Sequence, residues 1–221
     1  MILPPFLKKG DRVGITAPAR SVTRQEMAPA ITTLTGWGLE VAEGEHLYSV
    51  HHQFAGDDRE RASDLQKFLD DPSIRAVFCA RGGYGTIRIL DDLDFTGFCR
   101  NPKWIVGYSD ITALHQLVYQ RFGIATVHAT MPIHFPSPEK KTNSVESLQS
   151  LLFGELPEIR FPVHLFNRPG NFSGRIAGGN LSVMYSLRGT PYDIDTDNAV
   201  LFIEDVDEYL YHIDRMMMNL K

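Results

Sequence analysis

Where a buried strand turns into a helix, this sequence places a serine. Trp104, Ile105 and Val106 form an apolar run, Gly107-Tyr108-Ser109-Asp110 follows, and Ile111, Leu114, Leu117 and Val118 then share one helical face ending near Gly123. A hydroxyl at such a bend projects from the carboxyl end of a sheet. The amide of Asp110 and the helix amino terminus would face negative charge forming on an attacked carbonyl. This is the geometry of a nucleophile elbow, although Ile111 stands where G-x-S-x-G has its second glycine. Ser109 or Asp110 acting only as a helix cap is the competing reading.

A second candidate is Arg81-Gly82-Gly83-Tyr84-Gly85-Thr86, directly after the strand that ends at Cys79 and Ala80. Glycines there let backbone approach a ligand and expose amide donors. Neither G-x-x-x-x-G-K-[ST] nor a complete G-x-G-x-x-G is present, so nucleotide binding is weakly supported, and a plain tight turn is as good a reading as an anion site. A third is Val200 to Glu208, in which Glu204 and Asp205 end a strand and open an acidic loop. A carboxylate there could orient a histidine or could simply be solvated. The loop lacks the alternating oxygen ligands and central glycine of a calcium site.

The histidines, at 46, 51, 52, 115, 128, 134, 164 and 212, are scattered and form no H-E-x-x-H, which disfavours metal-dependent hydrolysis. His115, six residues past Ser109, reads as packed or solvated rather than as its proton acceptor. Cys79 and Cys99 form no CxxC pair, and Cys79 reads as a buried small hydrophobe. No metal and no cofactor is expected.

The elements that must hold these residues alternate through the first half of the 221-residue chain. Arg12 to Ala17 predicts a strand, Arg24 to Gly36 a helix, Leu39 to Ala42 a strand, a segment with Ala62, Leu65 and Leu69 at helical spacing another helix, and Ile74 to Ala80 a strand. Such alternation predicts a parallel sheet covered by helices, an α/β fold. Proline-punctuated sequence follows, from Pro132 through Pro138 to Gly170, with a short helix predicted at Val145 to Leu152. The expected organisation is an α/β domain over 1–131 carrying the nucleophile, a linker over 132–170, and the first part of a second domain over 171–221, since about fifty residues are too few for an independent core. In that last part Leu181 to Leu187 and Ile213 to Leu220 read as helices and Ala199 to Asp205 as a strand.

Lys and Arg total 22 against 27 Asp and Glu, a net charge of -5 with no long run of either sign, so no nucleic-acid surface is suggested and a small peptide or other small molecule fits better. No apolar run has membrane-spanning length, and the start, with Pro4 and Pro5 before Lys8 and Lys9, reverses the order of a secretory signal; a cytoplasmic location is expected.

Taken in order, LKKGDRVGITAP (7–18), FAGDDRERASDL (54–65), RGGYG (81–85), GYSDITAL (107–114), GGNL (178–181), GTPY (189–192), FIEDV (202–206) and IDR (213–215) resemble the successive motifs of the LD-carboxypeptidase family, which also includes microcin-C self-immunity hydrolases. The resemblance spans nearly the whole chain, and order and spacing make it specific. It implies a flavodoxin- or amidotransferase-like parallel-sheet domain, a β-rich carboxy-terminal domain incomplete here, and a site between them with a Ser-His-Glu triad. By motif, Ser109 would be the nucleophile, Glu204 the acid that orients the histidine, and Gly83 and Asp110 the oxyanion-binding amides. In the family the histidine lies some tens of residues past the glutamate, beyond Lys221. Downstream of Glu204 only His212 remains, to which the resemblance gives no role. The implied activity is removal of the terminal D-alanine from peptidoglycan tetrapeptides, impaired in a chain with two triad members. The alternatives are a peptide-binding protein that keeps the cleft without the reaction, or hydrolysis of a microcin-like aminoacyl-nucleotide amide. Family members often form homodimers, so a homodimer is the assembly implied.

Overall fold

The computed structural model describes residues 1–137, 139–160 and 162–221; Pro138, within the predicted linker, and Phe161 lie outside the described residues. The chain runs β1 (Arg12–Thr16), α1 (Arg24–Gly36), β2 (Glu40–Glu43), α2 (Asp58–Asp70), β3 (Ile74–Cys79), α3 (Thr96–Arg100), β4 (Trp104–Gly107), α4 (Thr112–Phe122), β5 (Val127–His128), α5 (Asn143–Leu152), β6 (Arg175–Asn180), α6 (Leu181–Ser186), β7 (Ala199–Glu204) and α7 (Leu210–Leu220), with short 3-10 turns at Thr86–Asp92, Ser109–Ile111 and Pro132–His134. The first five strands form one sheet in the order β2-β1-β3-β4-β5, every pair parallel. The strand order reverses between β1 and β3. In open α/β sheets ligands bind outside the carboxyl ends of the strands near such a switch point.

Local chemistry explains the element starts. Thr23 and Glu26 form a capping box on α1, as Asp57 and Glu60 do on α2, each satisfying otherwise orphaned N–H groups. The Lys103 ammonium is buried and donates to the carbonyls of Phe68, Leu69 and Asp71, closing the end of α2. Apolar side chains then fill both faces of the sheet: Val13, Ile15, Ala76, Phe78 and Val106 on one side, and Val77, Cys79, Ile105, Leu114 and Val118 on the other. Burial on both faces is what makes these strands near-continuous apolar runs.

The predicted linker is partly joined to this body. Val145, Leu148 and Leu152 of α5 lie in the same core as Val13 and Trp104, and Leu7 N–H donates to the Leu152 carbonyl. Beyond it, β6 and β7 pair in parallel as a second, two-stranded sheet, and Ala177, Leu181, Met184, Ile194 and Met216 form a small core of their own. Helix α7 begins three residues before the predicted Ile213, at Leu210. No helix among the described residues is long and apolar enough to cross a membrane.

Candidate active site

Strand β4 ends at Gly107, Tyr108 stays extended, and Ser109 then takes a left-handed conformation, φ 60°, as the first residue of the 3-10 turn that leads into α4. A non-glycine residue in this region is held there by its surroundings. The chain folds back closely at the bend: a β-carbon on Gly107 would lie 2.8 Å from the Ile111 side chain. Beneath it, buried His115 bonds the Gly107 carbonyl at 2.9 Å, and since a carbonyl only accepts, its Nε2 carries the proton. Burial pushes the His115 pKa down to about 4, so the ring is neutral at neutral pH. Ser109 itself is half-buried.

The glycine turn lies against this bend. A β-carbon on Gly82 would sit 3.3 Å from Ser109 Oγ and 3.4 Å from the Asp110 amide nitrogen. The missing side chain leaves open the space that a carbonyl oxygen needs beside the nucleophile. Gly83 and Gly85 have φ of 109° and 140°, conformations that side chains rarely adopt. Two buried charges hold the turn. The Asp110 carboxylate accepts from the Thr86 N–H at 2.9 Å, while the Arg61 guanidinium donates to the carbonyls of Gly85 at 3.0 Å and Pro18 at 2.5 Å and pairs with Asp58. Asp58 in turn receives Arg88. The FAGDDRERASDL block thus serves the turn, because Phe54 also stacks on Arg61, with the guanidinium carbon 4.8 Å from the ring centroid. Sequence reading treated that block as a helix with an apolar face and missed Arg61. A buried arginine looks like a surface one until its partners are known.

Glu204 ends β7 opposite Asn180. Its neighbour Asp205 turns away, accepting from the Ser182 N–H at 2.9 Å and the Asn180 side chain at 3.2 Å. Burial raises the Glu204 pKa, against the lowering effect of the Asn180 side chain, and Asp205 adds to the rise while the Ser109 N–H opposes it. Its Oε1 is buried without a hydrogen-bond partner among the described residues. The imidazole of His128, at the end of β5 beside Gly107, is 3.9 Å away from that oxygen, and burial lowers its pKa. Sequence reading gave His128 no part, since the pairing of β5 to β4 that brings it here is a long-range feature. His212 is elsewhere, bonded to Glu208 at 2.9 Å within α7.

The structure therefore brings Ser109, Asp110 and the Gly82–Gly83 turn into contact at the carboxyl edge of the sheet, and it sets Glu204 beside His128 on the strand next to β4. The second sheet is pinned there by its glycines. The Gly178 carbonyl accepts from Gln116 at 2.8 Å, the Asn180 N–H donates to Thr112 Oγ1 at 3.0 Å, and a β-carbon on Gly179 would meet Thr112 at 2.6 Å. No cluster of three or more His, Cys, Asp or Glu suited to a metal ion occurs among the described residues.

Comparison with known proteins decides the family. Residues 13–129 match the LD-carboxypeptidase N-terminal domain, and residues 173–221 match the LD-carboxypeptidase C-terminal domain. The chain belongs to the LD-carboxypeptidase family. A probable murein peptide carboxypeptidase of Bacillus subtilis is 39% identical over 226 residues, covering 99% of this chain and 69% of that protein. Among solved structures, an MccF-like protein from Bacillus anthracis superposes with a TM-score of 0.86 at 26% identity, covering 100% of this chain and 76% of the other. A muramoyltetrapeptide carboxypeptidase from Oxalobacter formigenes gives 0.81 at 27% identity, covering 95% and 70%. The two family segments leave residues 130–172 between them, which brackets the proline-punctuated stretch. As an LD-carboxypeptidase family member the chain has the parallel-sheet α/β fold that the motif series implied, with a serine-peptidase identity.

Proposed function

We propose that this LD-carboxypeptidase cleaves the amide bond between an L-residue and the terminal D-alanine of a peptidoglycan tetrapeptide, with Ser109 as nucleophile. The observation that supports it most is Ser109 at φ 60° with the bare face of Gly82 against both its hydroxyl and the Asp110 amide nitrogen. In this reading Ser109 Oγ attacks the carbonyl before the D-alanine, an imidazole takes the hydroxyl proton, and the amides of Gly83 and Asp110 receive the oxyanion. The imidazole returns its proton to the leaving amine, and water then releases the acyl group. Glu204 holds that imidazole in orientation; its buried Oε1, without a hydrogen-bond partner among the described residues, is the acceptor for a ring N–H. By family resemblance the ring is that of a histidine some tens of residues past the glutamate.

The names borne by the B. subtilis and O. formigenes relatives favour a murein peptide as substrate over the nucleotide conjugates associated with the microcin branch. The test is D-alanine release from a synthetic tetrapeptide by a chain of its relatives' length, with Ser109→Ala as control. Release is expected from the parent and is expected to fall by at least about a thousandfold in the variant. No release from the parent, or equal release from both, rejects the assignment.

A further inference from the structure

Arg20 is a cation at the mouth of the site. It follows β1, bridges Phe54 in a short antiparallel contact, is exposed, and makes no hydrogen bond or ion pair among the described residues. Its aliphatic stem lies across Gly83: a β-carbon on that glycine would be 2.3 Å from Arg20 Cδ and 2.7 Å from Cγ. The bare face of Gly83 thus seats the stem and leaves the guanidinium beside the oxyanion turn. Arg81, the other cation of this flank, is already engaged, its Nη1 donating to the Ser21 carbonyl.

An exopeptidase must tell a chain end from a chain interior, and what marks the end is a free carboxylate one residue beyond the scissile carbonyl, roughly 3.5 Å further along the chain. Along the sheet edge the order is Arg20 after β1, the glycine turn after β3, Ser109 after β4 and His128 at β5, with Glu204 of the second sheet beside His128. Neighbouring strands are about 4.8 Å apart, so β1 lies about 10 Å from β4, a gap that an arginine leaning over the intervening turn shortens. The acidic side, Glu204, Asp205, Asp207 and Glu208, repels a carboxylate; the Arg20 side attracts it. Arg20 also lies at the β1/β3 switch point, where such sheets bind ligands.

We infer that the Arg20 guanidinium binds the terminal carboxylate of the substrate and so sets the requirement for a free peptide end. The inference rests on the carboxypeptidase reading above. It is tested in the Ser109→Ala background, where binding is measured without turnover, by calorimetry with a tetrapeptide ending in D-alanine and with the same peptide ending in D-alaninamide. The acid is expected to bind at least about tenfold more tightly than the amide, as a charge-assisted hydrogen bond would give. Arg20→Ala should remove that preference by weakening only the acid, and Arg20→Lys should keep part of it, with melting temperatures unchanged. A preference for the acid that survives Arg20→Ala overturns this assignment and leaves the carboxypeptidase reading standing. Equal weakening of both peptides also overturns it. If neither peptide binds, the carboxypeptidase reading fails, and the role of Arg20 with it.

Discussion

Ser109 occupies a conformation that costs a non-glycine residue about 1 kcal/mol, and the strain aims its hydroxyl. Ser109→Gly should therefore raise the unfolding free energy by roughly 0.5–1 kcal/mol while abolishing D-alanine release, whereas Ser109→Ala abolishes release without that gain. Urea unfolding of the three proteins measures the difference. His115 gives the same bend a pH dependence. Its folded pKa, about 4, lies below the usual value of 6.5, so the stability it contributes is complete above pH 6.5 and is lost as pH falls toward 4. The loss can reach about 3 kcal/mol. Glu204, with its pKa raised, has the opposite sign, so only the difference between the parent and His115→Gln isolates the imidazole. That difference in unfolding midpoint should shift between pH 7 and pH 4.5, and a constant difference would contradict a buried neutral ring.

At the level of elements, the glycine turn has little to hold it except Arg61 on one side and Asp110 on the other. Arg61→Met leaves the Gly85 and Pro18 carbonyls without their donor and Asp58 without one of its two arginines, a loss of about 3 kcal/mol. Hydrogen exchange at Gly83, Tyr84 and Gly85 should accelerate far more than exchange in β1 or β3. Uniform acceleration would mean that Arg61 supports the whole sheet rather than the turn. The 3-10 turn after Gly85 also shows why the strand-to-helix reading of Arg81–Thr86 and the anion-site reading stood level in the sequence. Both describe the same backbone, and what separates them is the neighbour: a serine hydroxyl set against Gly82.

For the molecule as a whole, the acid and the nucleophile lie on different sheets, and their approach depends on how β6 docks against α4. The contact includes a residue without a side chain: Gly179 lies against Thr112, where a β-carbon would come within 2.6 Å, while the Gly178 carbonyl accepts from Gln116. Gly179→Ala should push the second sheet away from Thr112, abolishing D-alanine release while the thermal transition of the five-stranded sheet shifts little. Retained activity in that variant would show that Glu204 does not need its present distance from Ser109. This docking also explains why α4 is buried nearly all round, His115 and Gln116 included, when its apolar stripe alone predicts one covered face.

What was readable from residue order is what short-range physics controls. Short apolar runs and 3.6-residue patterns located β1, β3, β4, α1 and the apolar face of α2, because each reflects burial of its own segment. The bend at Ser109 was legible for the same reason, and the motif series supplied Glu204. Sequence could not place Arg61, His128 or Arg20, since an arginine or histidine has no local signature of what it will touch. Packing 24 or more residues away decides whether Arg61 is buried under Gly85, and strand pairing decides that His128 lies beside Glu204. The distance between Ser109 and Glu204 likewise belongs to tertiary structure: 95 positions separate them in the chain, and the bare face of Gly179 lets β6 close on Thr112 of α4.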